Sequence, residues 1–539
     1  MATFKLDGEE IPFEAGDTII RAAWRQGVEI PHYCWHPGLS VAANCRMCLV
    51  EVKGERTPQM PILKWDAEKK EFVPSTKPKL VPACQTPAVA GQEVCAKNAE
   101  ALAAQASVQE FLLLNHPVDC PICDQAGECK LQDYWLTSQG KLKRKTTEPV
   151  HKPKGVRFGP TIVYDAERCI MCTRCIRVSD ELAHDHVLDM RERGNRNEIV
   201  VSPGRELDHK YTFMTEHVCP VGALTTSDFR FKARVWFLRS QKSVCDGCAT
   251  GCNSFADYDP RTQRVYRLRP RDNEQVNKFW MCDDGMMSYT RAHEGRVEGG
   301  IVREGHGVVR AERMTSAAEA LEAAARALRG VDGDRIAVVL SAQHSTEDNL
   351  ALVKLAAALG TSRLYLAANG GWEGDTILRN ADNNANRRGA ALAAGGKTLP
   401  DLSQLLPAIS AGEVAAVITL GTASREDGAA LAPITELAAS VSLATHVAPL
   451  SQVAAVVIPV ACHYEMEGTF VNAKGLAQRF WPAIPAPEGV RPAWETLAAL
   501  AKALGKDLGL GSLADVRKAI PVMAPAPAPA TASTTGARV

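Results

Sequence analysis

The segment HPVDCPICDQAGEC, His116 to Cys129, decides how the rest of the chain is read. It runs H-x3-C-x2-C-x5-C. Three thiolates and one imidazole so close in sequence make a full ligand set for a tetrahedral or cubane metal centre. Alone, the segment would suit zinc. Pro117 and Pro121 hold the backbone open around the ligands and remove two N–H donors, leaving the other amides to point at sulfur. The only other cysteine nearby is Cys95, so His116 completes the set with Cys120, Cys123 and Cys129.

Working outward, three more cysteine groups flank this one, and their spacings are not those of zinc fingers. Upstream, Cys34, Cys45, Cys48 and Cys84 read C-x10-C-x2-C-x35-C. The inner C-x2-C and the distant fourth thiolate match the plan of a plant-type [2Fe–2S] ferredoxin, although the first gap is longer. Two short strands near 3–6 and 11–13, joined by a turn at Asp7-Gly8, then a helix over 18–26 and a strand over 49–52, suit a β-grasp ferredoxin domain. A helix over 98–115, apolar on one face, leads into the His116 segment. Downstream, Cys169, Cys172 and Cys175 form C-x2-C-x2-C, and Cys219-Pro220 follows, which is a [4Fe–4S] ferredoxin pattern with one triplet and hence one cluster. Cys245, Cys248, Cys252 and Cys282 form a fourth set, C-x2-C-x3-C-x29-C. Within it, the strand RVYRLRPR (264–271) puts basic residues either near an anionic cluster or on a solvated face.

The ligand arithmetic closes: fifteen cysteines and His116 make four sets of four, with Cys95, read as a core residue, and Cys462 left over. Of 17 cysteines in 539 residues only Cys462 lies beyond residue 282, so the two halves have different jobs. The start has no basic-then-apolar leader, so metal binding rather than disulfide formation explains the cysteines. No apolar run approaches the roughly 18–20 residues that span a bilayer, and the expectation is a soluble chain. Charge balances at 62 Lys and Arg against 62 Asp and Glu, which argues against a nucleic-acid binder. Residues 140–158, rich in Lys, Arg and Pro, read as a solvated connector.

From about 300 to 520 alanine-rich helices (316–328, 347–359) alternate with short apolar strands (336–340, 363–366, 414–420, 441–445, 456–459). That βαβ texture predicts a parallel, doubly wound sheet. No G-x-G-x-x-G follows these strands, so the dinucleotide fingerprint is missing. Residues 521–539, rich in Pro, Ala and Thr, are expected to be a disordered tail.

The order of the four sets, with the stretches NCRMCLVEV (44–52), LLNHPVDCPICDQAGECKLQD (113–133), YDAERCIMCTRCIR (164–177) and CPVGALT (219–225), resembles the G subunit of bacterial NADH:quinone oxidoreductase, respiratory complex I, over residues 1 to about 290. Beyond that, the chain resembles the molybdopterin-oxidoreductase fold. EGTFVNAKGLAQR (467–479) is similar to a stretch near pterin sites, with Leu476 where Arg is usual.

The resemblance implies a multidomain α+β and α/β chain: a [2Fe–2S] β-grasp domain (1–95), a [4Fe–4S] domain ligated by one histidine and three cysteines (96–150), a [4Fe–4S] ferredoxin-like domain (151–237), a molybdopterin-oxidoreductase-type [4Fe–4S] domain (238–297), an α/β domain lacking catalytic metal (298–520), and the tail. It implies one [2Fe–2S] and three [4Fe–4S] clusters, no molybdopterin, and no catalytic residue in this chain. Electrons would pass from a partner subunit that binds NADH and FMN toward downstream cluster and quinone-site subunits, with proton translocation belonging to the whole complex. The chain would lie on the cytoplasmic side of the bacterial inner membrane, touching the membrane only through the complex. The Cys245 cluster would stand off the electron path. Two other readings use the same residues. A formate-dehydrogenase-like molybdoenzyme needs a metal-ligating Cys, selenocysteine or Ser early in the large domain, and Cys462 stands near that domain's end. A diaphorase subunit of an NAD-linked hydrogenase normally lacks the fourth set and the α/β half.

Overall fold

The computed structural model describes residues 2–53, 63–74, 80–137, 148–305, 310–421 and 429–520. The expected tail and most of the basic run in the connector (138–147) lie outside the described residues. Two compact units divide the chain, Met1–Phe237 and Leu238–Ala528.

The first unit begins with a hairpin. Asp7 and Gly8 both take positive φ (50° and 94°), the turn geometry whose twist matches paired strands. It joins Ala2–Leu6 to Glu9–Phe13, and the inward positions Phe4, Leu6 and Ile11 are buried. The sheet continues through Glu93–Cys95, Leu49–Lys53 and Leu80–Pro82. Ala2–Leu6 runs parallel to Glu93–Cys95, while the sheet's other pairings are antiparallel. The helix Ile19–Arg25 lays Ile19, Ile20, Ala22 and Ala23 into the core beside the sheet. The polar insertion before Cys84 contains a hairpin of its own, Leu63–Asp66 with Glu71–Pro74, which periodicity did not reveal.

Two expectations are corrected by this unit. The helix Ala99–Leu113, capped by Asn98 accepting from the Ala101 N–H, buries Ala101, Gln105 and Gln109 rather than an apolar stripe. Its glutamines satisfy neighbouring polar groups: Gln105 donates to the Ala96 carbonyl and Gln109 to the Tyr33 hydroxyl. Phe111 and Leu102 face outward instead. Cys95 is half-buried at the end of a strand, paired opposite Glu51, and is not a core residue. The unit ends with Ile162–Tyr164 between Val156–Arg157 and Leu224–Thr226, and a hairpin of Leu188–Arg191 with Glu198–Val201.

The second unit opens with three antiparallel strands, Arg239–Val244, Asn253–Asp259 and Arg264–Pro270. The basic strand's open question is answered by Asp257: Arg267 and Arg269 reach its buried carboxylate at 2.8 and 2.6 Å. A seven-stranded sheet follows. Five strands are parallel, in the order Val456–Pro459, Ala439–Ala444, Ala416–Leu420, Ile336–Ser341, Leu364–Ala367. Ile336, Val338 and Leu340 pack on one face with the helices Ala317–Leu328, Thr346–Leu359 and Ala493–Ala503, while Ala337 and Val339 pack into a second cluster, so helices cover both faces. The sheet is not wholly parallel. A hairpin, Gly300–Glu304 with Ala311–Thr315, closes one edge antiparallel. Its outermost strand is exposed and carries Glu312 and Arg313, which obscures a strand pattern and guards the edge against further pairing.

Candidate metal centres

The four predicted ligand sets lie mostly in the loops between such elements, with Cys120 opening the turn Cys120–Ile122 and Cys175 within the one-turn helix Arg174–Arg177. The first set fills the loop after Ile19–Arg25 and the ends of Leu49–Lys53 and Leu80–Pro82. Cys34, Cys48 and Cys84 are buried, and Cys45 is half-buried. The thiols fall into two hydrogen-bonded pairs. Cys34 is drawn down to about 5 by its bond with Cys45, whose own thiol is pushed up, and Cys84 is lowered by its bond with Cys48. The Cys34 N–H also donates to Cys45 Sγ at 3.4 Å. Ala43 and Arg46 take positive φ (50° and 61°), strain that the fold tolerates where the loop wraps its ligands.

The second set surrounds a cavity lined by His116, Cys120, Cys123 and Cys129, with Arg168 and Gly222 closing it. Burial pushes the Cys129 thiol up to about 11. The third set, Cys169, Cys172, Cys175 and Cys219, lines another cavity with Tyr164, Ile199 and Val221. Met171 and Thr173 hold positive φ (54° and 62°) between its ligands, and the Met171 N–H donates to Cys169 Sγ at 3.4 Å. Burial first, then the Cys172 charge, raises Cys169 to about 11. Among the described residues no three His, Cys, Asp or Glu side chains close around a single ion-sized point. The second and third sets instead line open cavities.

The fourth set belongs to the second unit. Cys245 follows the strand Arg239–Val244, Cys252 precedes Asn253–Asp259, and the Cys245 N–H donates to the Cys252 carbonyl at 2.8 Å. Cys248 lies in the hairpin loop, and Cys282 caps the short helix Asp283–Met287. Burial, followed by the charges of Cys245, Cys248 and Cys282, pushes the Cys252 thiol well up. The Gly247 N–H donates to Cys245 Sγ at 3.4 Å.

Do these residues fit iron–sulfur groups? The donor chemistry fits: each set brings four soft donors, four thiols or three thiols with one imidazole, into one loop region, the ligand type that iron–sulfur cores take. Local shape fits as well. A Cβ on Gly222 would stand 2.3 Å from Cys123 Sγ, and one on Gly285 3.1 Å from Cys245 Sγ and 3.5 Å from Cys282 Sγ, so glycine is needed where backbone crowds the sulfurs.

The loops of the first unit also interlock. Arg177, near the end of the third set's loop, donates to the Cys34 carbonyl at 2.5 Å and the Cys172 carbonyl at 3.2 Å. Gly222, just after Cys219, abuts Cys123 of the second set, and the Lys130 N–H donates to the Pro220 carbonyl at 3.0 Å. Sequence reading missed Arg174, Arg177 and Gly222. The signal available was the basic pair flanking Cys175 in CTRCIR, and spacing alone does not say what such a pair touches. The two left-over cysteines stay apart from the sets: Cys95 has Lys53, Glu51, Glu93 and Asp7 as its charged neighbours, and the Cys462 N–H donates to Glu465.

Comparison with known proteins gives four family matches: a 2Fe-2S iron-sulfur cluster binding domain (1–99), the NADH-ubiquinone oxidoreductase-G iron-sulfur binding region (105–139), the NADH-quinone oxidoreductase subunit 3 ferredoxin-like domain (159–225), and molybdopterin oxidoreductase (337–503). The G subunit of the NADH-quinone oxidoreductase of Mycobacterium bovis is 35% identical over 68% of this chain and 43% of its own length. The Streptomyces coelicolor protein of the same name is 33% identical over 68% and 41%. The mitochondrial NADH dehydrogenase [ubiquinone] iron-sulfur protein 1 of Solanum tuberosum is 33% identical over 68% and 46%. The chain thus spans less than half the length of these relatives. A chain of an NAD+-reducing [NiFe]-hydrogenase structure aligns over 43% of this one at 28% identity and a TM-score of 0.36, too low to carry an argument. Among the described residues no helix is long and apolar enough to cross a membrane.

Proposed function

Over two thirds of its length the chain belongs to the family of NADH-quinone oxidoreductase G subunits, and on that premise we propose that it is an electron-carrying subunit of that complex. It holds a [2Fe–2S] cluster on Cys34, Cys45, Cys48 and Cys84. It holds [4Fe–4S] clusters on His116 with Cys120, Cys123 and Cys129, on Cys169, Cys172, Cys175 and Cys219, and on Cys245, Cys248, Cys252 and Cys282. Bound there, such clusters supply one-electron transfer. The chain's side chains ligate them, and backbone N–H groups such as those of Cys34, Met171 and Gly247 point at the sulfurs. Its partners are the subunit that binds NADH and FMN and the subunits leading to quinone, and it lies peripherally on the cytoplasmic side of the inner membrane.

One observation supports this most. Within the first unit the ligand loops touch in series, the Cys34 loop against the Cys169 loop through Arg177, and the Cys169 set's Gly222 against Cys123. That spatial order differs from chain order and suits stepwise transfer. The Cys245 set, in the second unit, is assigned a structural role, since metal binding is coupled to folding.

A formate-dehydrogenase-like reading draws on the molybdopterin oxidoreductase match over 337–503. Against it, the buried Cys462 is engaged by Glu465 through both its N–H and its thiol, and Glu465 pairs with Arg296. The test is metal content of the purified chain. About fourteen irons (one binuclear and three tetranuclear centres) with matching sulfide and no molybdenum is the expected result. Stoichiometric molybdenum would favour the dehydrogenase, and zinc in place of iron would remove both.

A further inference from the structure

Arg174 and Arg177 sit on the one-turn helix Arg174–Arg177 around Cys175, and both are buried, at 8% and 9% exposure. Each joins the backbone of the first ligand set to that of the third. Arg174 donates to the Trp35 carbonyl, next to Cys34, and at 3.0 Å to the Val218 carbonyl, next to Cys219. Arg177 donates to the carbonyls of Ser40, Cys34 and Cys172. Every one of these acceptors is neutral. Among the described residues neither guanidinium is ion-paired with a carboxylate, and the Nε of each is buried without a partner.

A buried guanidinium without a counter-ion is expensive. Two side by side require anionic charge close by, and the thiolate-ligated centres on either side are what the fold offers. We propose that Arg174 and Arg177 are a shared cationic clamp that compensates the negative charge of the Cys34 and Cys169 centres and raises both reduction potentials together. The inference rests on the iron–sulfur reading of these two sets. The reasoning is Coulombic: reduction adds one electron to a cluster, and a fixed positive charge in a water-poor site favours the more negative state. One clamp serving two centres keeps their potentials in step, so that an electron leaving one reduces the other without a steep climb. Arginine suits the task because it stays charged when buried and its planar fork reaches two carbonyls at once.

The test is an EPR-monitored redox titration of the full chain, purified anaerobically, with Arg177→Gln, Arg177→Lys and Arg174→Gln beside the unmodified protein. Both glutamine variants are expected to lower the midpoints of the binuclear signal and the Cys169-set signal by at least the tenfold change in reduction equilibrium that corresponds to about 59 mV for one electron. Arg177→Lys keeps the charge, and both midpoints should stay near their original values. The His116-set midpoint serves as the internal reference and should move least. Unchanged midpoints in the loaded glutamine variants, a shift at only one of the two centres, or an equal fall in Arg177→Lys would overturn the clamp. If a glutamine variant loads no cluster, Arg177→Lys decides: restored signals at the original midpoints uphold the proposal and lowered ones refute it. Absence of both signals from the unmodified chain would instead refute the iron–sulfur reading.

Discussion

Twelve of the 17 cysteines lie in Met1–Phe237 and five in Leu238–Ala528, and the two units are held together accordingly. In the first, sheets are short, ligand loops are long, and non-glycine residues such as Ala43, Arg46, Met171 and Thr173 hold positive φ around the sulfurs. Its second and third ligand sets lean on one another's loops. In the second unit the central strands Ile336–Ser341 and Ala416–Leu420 are buried along their whole length, under helices on both faces. Two of its buried polar side chains are satisfied within the fold: Glu347 accepts from Thr469 and Arg517, and Asn349 bonds the turn after Ser341. The contrast separates two ways of stabilising a chain, ligation where loops dominate and apolar burial where a full sheet can form.

Stripping the iron should set the two units apart most visibly. Chelation under reducing conditions should collapse amide-exchange protection around 116–137 and 165–182, while the helix Thr346–Leu359 keeps its protection. Equal loss in both regions would mean that the seven-stranded sheet and its helices also depend on metal. Next, Leu355→Ala opens a cavity in the enclosed core of the second unit and should cost about 3–5 kcal/mol in denaturant unfolding of that unit. Iron content of the first three sets should be unchanged.

Smaller again is Asp257→Asn, which leaves Arg267 and Arg269 without their shared carboxylate and should cost about 3 kcal/mol. The same pair gives a pH signature. Although burial itself opposes ionisation, the charges of Arg269 and Arg267 prevail and hold the folded carboxyl well below the usual range. Its contribution is therefore fully present above the unfolded value of about 3.9 and is lost as pH falls below it toward the folded value. Acid unfolding of Asp257→Asn should accordingly be shallower than that of the original protein below about pH 4. The smallest effect is expected from Ser316→Ala. The Ser316 hydroxyl accepts from the Glu319 N–H at the start of Ala317–Leu328, and its loss should cost about 1 kcal/mol, read as a small fall in the second unit's melting temperature. A fall in the first unit's iron content on this change would contradict the separation of the two.

Much of the fold was legible in local pattern. The strands near 3–6 and 49–52, the helices over 316–328 and 347–359 and the parallel strands all appear within a residue or two of their expected places, because period and caps are local signals. The helix over 98–115 was also legible as a helix, yet its buried face was not. Gln105 and Gln109 point inward because Ala96 and Tyr33, distant in sequence or in another element, offer them partners. The edge hairpin of Gly300–Glu304 was hidden because an exposed edge strand carries charges in place of an apolar alternation.

The sequence alone pointed to the candidate donor sets, since spacings such as C-x2-C and H-x3-C suit one turn of backbone reaching around a metal core. It also determined the family and the texture of each half. Only the tertiary structure decided which sets adjoin within the first unit, that Arg174 and Arg177 lie between two of them without a carboxylate, and that Asp257 rather than solvent receives the basic strand. These are contacts between residues dozens to more than a hundred positions apart or across a sheet, fixed by packing and charge compensation, and no local pattern encodes them.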